Sequence, residues 1–139
     1  MKKFFTLAAF VFAVIISSSA LAASWTEIDV GDEITKVYVD KSSIKRGVHS
    51  KALGVNRSDG FTANIKLELI ISEKEQFVMI NSMGFFEENG AKKKCYLSEI
   101  DENGKPVKNS SFTPEVSAAD GSDGSIWPKV YEYIQKNLP

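Results

Sequence analysis

Residues 61–72 carry the strictest pattern in the chain. Phe61, Ala63, Ile65, Leu67, Leu69 and Ile71 alternate with Thr62, Asn64, Lys66, Glu68, Ile70 and Ser72. Side chains two apart share one face of a strand, whereas a helix would scatter these six around its circumference. The segment is therefore expected to be a long strand, roughly 36 Å at about 3.3 Å per residue. One such strand must lay its apolar face against a second layer.

Further strands are expected around it. Trp25–Val30 places Ile28 and Val30 on one face, and Thr35–Asp40 turns Val37 and Val39 inward. Ser50–Arg57 is a weaker third strand. Gln76–Phe86 is apolar on both faces, which suits a central strand covered on both sides. Lys93–Ile100 is a sixth. Asp59-Gly60, Asn89-Gly90 and Asn103-Gly104 tolerate the positive φ of tight hairpin turns. No stretch between strands is long enough for a helical crossover, so the sheet is expected to be antiparallel. Residues 105–124 shift to Ser, Asp, Gly, Ala and Pro and read as a mobile connection. Ile126, Val130, Ile134 and Leu138 then recur every four residues, with Trp127 and Tyr131 on an adjacent line. This is the apolar stripe of a short helix, capped by Ser125 or Asp123, that must lie on the sheet. The fold class expected is α+β: a single antiparallel sheet of about six strands with a C-terminal helix packed against it.

The N-terminus speaks to destination. Lys2 and Lys3 precede an apolar run from Phe4 to Ile16, and Ala20-Leu21-Ala22 follows a serine triplet. These are the parts of a secretory signal, cleaved after Ala22 or Ala23. The run is short for a membrane span, which needs about 20 apolar residues. Ala23-Ser24-Trp25 offers no lipid-bearing cysteine at the cut, so no membrane anchor is expected after cleavage. Residues 1–22 are read as signal peptide and 23–139 as one domain, periplasmic or secreted. Removing Lys2 and Lys3 from 17 basic residues leaves 15 against 18 acidic ones. That balance excludes nucleic acid as the main partner. Cys95 stands alone, so no intramolecular disulfide forms; it is a free buried thiol or pairs with another chain.

Ser42 and Lys45 have the S-x-x-K spacing by which lysine activates a nucleophilic serine. They follow a strand, no K-T-G accompanies them, and the chain is short for that class of enzyme. Asp40, Ser42 and Ser43 are instead expected to hold a turn, with Ile44 plugging the core. His49 is the only histidine, which excludes a two-histidine metal site. Glu87-Glu88 and Asp101-Glu102 point to opposite faces of a strand and form no acid/base dyad. The Asp- and Gly-rich turns near 101–104 and 120–124 lack the continuation of a calcium loop. No catalytic residue, cofactor or metal is expected. Lys92, Lys93 and Lys94 beside the Asn89-Gly90 turn form the one basic cluster and the candidate contact patch.

The order of these features resembles the surface-adhesin protein E-like domains. Trp25-Thr26-Glu27-Ile28 and Val37-Tyr38-Val39-Asp40-Lys41-Ser42-Ser43-Ile44 carry the resemblance, with Tyr96-Leu97-Ser98 running into Asp101-Glu102-Asn103-Gly104-Lys105 and the closing helix. The resemblance implies a small exported sheet-and-helix domain of non-enzymatic, adhesive function in a bacterium. Two departures stand out: this chain lacks the lipid-anchoring cysteine of the namesake and the cysteine pair of related domains. No ligand-contact residue carries over. A protein or glycan partner is expected, with homodimerisation along an edge strand open. The alternative is a periplasmic small-ligand or haem-binding protein, with His49 or a tyrosine facing an apolar pocket.

Overall fold

The structure is a computed structural model and describes residues 24–139. The leader expected over residues 1–22 lies outside them. Six strands form one antiparallel sheet in sequential order: β1 (Trp25–Ile28), β2 (Thr35–Ser50), β3 (Val55–Ile70), β4 (Gln76–Glu88), β5 (Ala91–Glu99) and β6 (Glu115–Ala118). A helix, α1 (Trp127–Lys136), packs on one face. The fold class read from the sequence is the fold observed.

The strand count agrees, but the membership differs. The alternation at 61–72 belongs to a longer strand, β3, which begins at Val55 and ends at Ile70. Ser50–Arg57 is not a strand of its own: Ser50 ends β2, Lys51 to Gly54 make the turn, and Val55 begins β3. Asp59-Gly60 accordingly lies inside β3 and is no turn. Gly60 is there because its neighbours leave no room, as a Cβ at this position would sit 2.5 Å from the Phe85 carbonyl oxygen. Asn89-Gly90 does turn the β4–β5 hairpin, both residues taking positive φ as a tight two-residue turn requires. The expected mobile connection contains β6, whose four residues pair with β5 from Lys93 to Tyr96.

β2 reaches 16 residues by crossing two irregularities in its pairing with β3, at Asp40/Lys45 and Arg46/Val48. The first is the stretch with the serine–lysine spacing. Asp40 is buried, and its carboxylate accepts bonds from the Ser24 amide, the Ser42 amide and the Ser42 hydroxyl. Ser43 Oγ donates to the Asp40 carbonyl at 2.6 Å and accepts from the Asn64 amide at 2.8 Å, reaching across to β3. The bulge thus satisfies backbone groups that the broken ladder leaves open. It also reverses which residues face the helix, so that Ile44 enters the core.

The core has two parts. On the helix side, Val37, Val39, Ile44, Phe61, Ala63, Ile65, Met83 and Phe85 meet Trp127, Val130, Tyr131 and Ile134. Tyr131 stands edge-on to both Phe61 and Phe85, with ring centroids 5.0 and 5.9 Å away. On the opposite face, Val48, Phe86 and Cys95 form a small second cluster under Leu53, Val55 and Leu97. The helix stripe is as the sequence indicates at Trp127, Val130, Tyr131 and Ile134, while Leu138 lies beyond the C-cap Asn137. Its N-cap, however, is Ile126 with no side-chain hydrogen bond, and Pro128 sits in the first turn.

Candidate functional site

The lysine triplet does not form one patch. Successive residues of β5 point to opposite faces, so Lys92 and Lys94 turn toward the helix side and Lys93 away. Lys92 is exposed, its ammonium 5.3 Å from the Tyr131 ring centroid, and Lys93 is half-buried. Lys94 is wholly buried, contrary to the exposed hairpin tip expected. Its Nζ donates to the Ala118 carbonyl at 2.7 Å and to Asp123 Oδ2 at 2.5 Å, and lies 4.8 Å from the Trp127 ring centroid. Asp123 therefore does not cap the helix. Its carboxyl is held below the usual range, first by the hydrogen bond from Lys94 and then by that ammonium's charge. Lys94 ties the chain before α1 to β5, which is a structural task.

The serine–lysine stretch resolves similarly. Both serine hydroxyls are committed to the bulge, and among the described residues no hydrogen bond joins Lys45 to either. Replacing Ser43 with alanine is expected to cost about 1 kcal/mol in urea unfolding, the worth of the bonds it makes. An acyl-serine probe is expected to leave the folded protein unlabelled; labelling lost in Ser43→Ala would overturn that assignment. His49 is exposed and bonded to Asn56 beside the β2–β3 turn. Cys95 is buried in the second cluster as a free thiol, pushed up to about 11 by burial. Among the described residues no three His, Cys, Asp or Glu side chains gather as a metal site, and no helix is long and apolar enough to cross a membrane.

The feature sequence reasoning missed lies at the other end of β4. From Met83 to Phe86 it is covered on both faces, by Met83 and Phe85 against the helix and Phe86 beneath. Its first half is not. Phe77 and Val78 are 52% and 43% exposed, and Leu69 and Ile71 across the hairpin are exposed with them. The reason is length: α1 has only ten residues, about 15 Å, and its buried side chains reach one half of the sheet.

Two adjoining hollows occupy the uncovered half. One, of about 440 Å³, lies between the start of α1 and the sheet, lined by Leu67, Leu69, Phe77, Met79, Tyr96 and Trp127 among others. The other, of about 530 Å³, runs along β4 from Phe77 to Asn81 and is walled opposite by Ser111, Phe112, Thr113 and Glu115. Phe77, Met79 and Tyr96 line both, so the two make one groove. The Tyr96 hydroxyl is pushed up to about 12, by burial first and then by Asp123 and Glu115. It stays protonated at neutral pH, able to donate a hydrogen bond beside the apolar side chains of Phe77 and Met79.

The signal for this groove is present in the sequence as the doubly apolar run 76–86. Both faces of that run were expected to be covered, and only the helix's reach decides where cover stops. Comparison with known proteins adds no identification: no family model, no curated protein and no solved structure matches the chain.

Proposed function

We propose that this chain is an exported, non-enzymatic binding domain, of the kind the surface-adhesin protein E-like resemblance implies, and that it takes its ligand in the groove between β4 and the start of α1. One observation supports this above others: Phe77, Met79 and Tyr96 join two hollows into a single trough with a mainly apolar floor, on a strand whose residues Met83 to Phe86 are buried. Sites for ligands are commonly concave and apolar with a few polar groups, in this size range. The groove, rather than Lys92, Lys93 and Lys94, is the contact surface. An apolar floor of this kind favours a protein or small apolar partner over a glycan.

The haem reading draws less support. His49 does not line the groove; it stands beside a separate hollow formed with Ser50, Lys51, Val55 and Asn56. Tyr96 is held protonated, which weakens it as a metal ligand.

The neutral fluorophore N-phenyl-1-naphthylamine tests the groove directly. Its emission is expected to rise saturably with the protein. Phe77→Ser should weaken binding about tenfold, the worth of one buried phenyl group, without lowering the unfolding midpoint appreciably. Absence of saturable binding would overturn the groove as a ligand site. Export is tested separately, by N-terminal sequencing of the protein from a periplasmic or secreted fraction. A chain still beginning at Met1 in the cytoplasm would overturn it.

A further inference from the structure

The groove has a backbone wall as well as an apolar floor. β4 pairs with β3 along its whole first half, from Gln76 with Ile70 to Asn81 with Ile65. On its other edge the pairing with β5 begins only at Asn81, opposite Glu99. One further bond follows, from the Ile100 amide to the Ile80 carbonyl. The chain then turns off: Asp101 closes a tight loop, accepting from the Asn103 and Lys105 amides, and Pro106 folds back on Ile100. Residues 76–79 thus form strand edge with no neighbour among the described residues. In an antiparallel strand the N–H and C=O of one residue point to the same side and alternate along the chain. Ile80 offers its carbonyl toward β5, so Val78 and Gln76 present theirs to the same open side.

That edge faces the 530 Å³ hollow, whose far wall is the 111–115 segment. Residues 76–79 carry neither lysine nor proline to blunt this edge. The slot has the form of a place for one more strand. Its walls carry Glu99 and Glu115, the adjoining hollow adds Asp32, and neither is lined by a lysine or arginine, while Asp123 is already paired with Lys94.

The geometry points to strand addition: we infer that an extended peptide segment, apolar at alternate positions and basic at its ends, pairs with residues 76–79 of β4 and sets its apolar side chains on Phe77, Met79 and Tyr96. Four residues of edge span about 13 Å, enough for the main-chain bonds and alternate side-chain pockets by which such peptides are held. Residues 111–115 wall the slot on its far side, which admits a single strand more readily than a second copy's β3–β4 hairpin. A second copy would also bring its own Glu99 and Glu115 against these, and like charges in apposition oppose pairing. The partner is thus a basic, apolar peptide. This inference rests on the groove being the ligand site.

The test uses an acetylated, amidated seven-residue peptide alternating valine and threonine, with lysine at both ends. It is expected to displace N-phenyl-1-naphthylamine and to slow hydrogen exchange at the Val78 amide. N-methylation of the amides on one edge of the peptide should weaken binding about tenfold, while methylation on the other edge leaves it unchanged, since only one edge meets β4. Replacing the terminal lysines with glutamates should also weaken binding about tenfold, and Glu99→Lys with Glu115→Lys should reverse that preference. Equal binding by both methylated peptides would overturn strand addition. So would protection of the Val78 amide by self-association without peptide. If the fluorophore binds and the peptide does not, this inference falls and the groove reading stands; if neither binds, both fall.

Discussion

Replacing Asp123 with alanine is expected to cost about 3 kcal/mol at neutral pH, more than replacing its partner Lys94 with methionine. The asymmetry follows from burial. Lys94 has no exposed side-chain surface, whereas Asp123 is 56% exposed. Losing the aspartate strands an ammonium among Trp127, Tyr96 and the Ala118 carbonyl. Losing the lysine leaves a carboxylate that water can still reach, and methionine refills most of the volume. Exposure of Asp123 keeps the value toward the lower end of that for broken buried pairs. The pH dependence has a fixed sign. The folded carboxyl lies below its unfolded value of about 3.9, so its stabilisation is complete above that pH and is lost as pH falls through the lowered folded value. Urea unfolding from pH 7 to pH 2 should show Asp123→Ala and the unsubstituted protein converging at the acid end. A larger loss from Lys94→Met than from Asp123→Ala would overturn this account.

Gly60→Ala and Gly84→Ala are each expected to cost about 3 kcal/mol, for related but separable reasons. A Cβ at Gly84 would lie 2.2 Å from Val48 Cγ2, and one at Gly60 would lie 2.6 Å from Val48 Cγ1 and 2.5 Å from the Phe85 carbonyl oxygen. These glycines let β2 curl over the sheet and seat Val48 in the second cluster. Trimming Val48 to alanine should recover much of the loss at Gly84, where the obstacle is mainly that side chain. It should recover less at Gly60, where a backbone oxygen remains. A double-mutant cycle by thermal unfolding reads the difference. Equal rescue at both positions would show that β3 and β4 separate locally to admit the methyl.

Sequence legibility followed the range of the interactions involved. The helix stripe, the alternation from Phe61 and the Asn89-Gly90 turn are settled by residues within one turn or one hairpin, and all three were readable. The continuation of β2 was not, because the bulges at Asp40/Lys45 and Arg46/Val48 break the period of two that marks a strand. β6 was missed because four residues, Glu115–Ala118, are too few to show any period. Lys94 misled for the opposite reason. Three consecutive lysines read as solvated charge, and the burial of the third depends on Asp123, 29 residues away. The groove is a case of correct composition and wrong cover: residues 76–86 are apolar on both faces, but where α1 stops cannot be read from β4.

The sequential strand order sets a timetable for assembly. Each strand pairs with the one just before it in the chain, and of the sheet contacts only that of β6 waits on a long loop, residues 100–114, to close. The longest wait is that of α1, which docks on strand residues made about 45 to 95 residues earlier, from Phe85 back to Val37. A growing chain can therefore finish its ladder while Val37, Val39, Phe61, Ile65 and Phe85 still lack their cover. That intermediate would be a hydrogen-bonded sheet with one wet apolar face, prone to stick to its own kind. The last 13 residues, from Trp127 to Pro139, end that exposure, and the Lys94–Asp123 contact is the latch that closes with them.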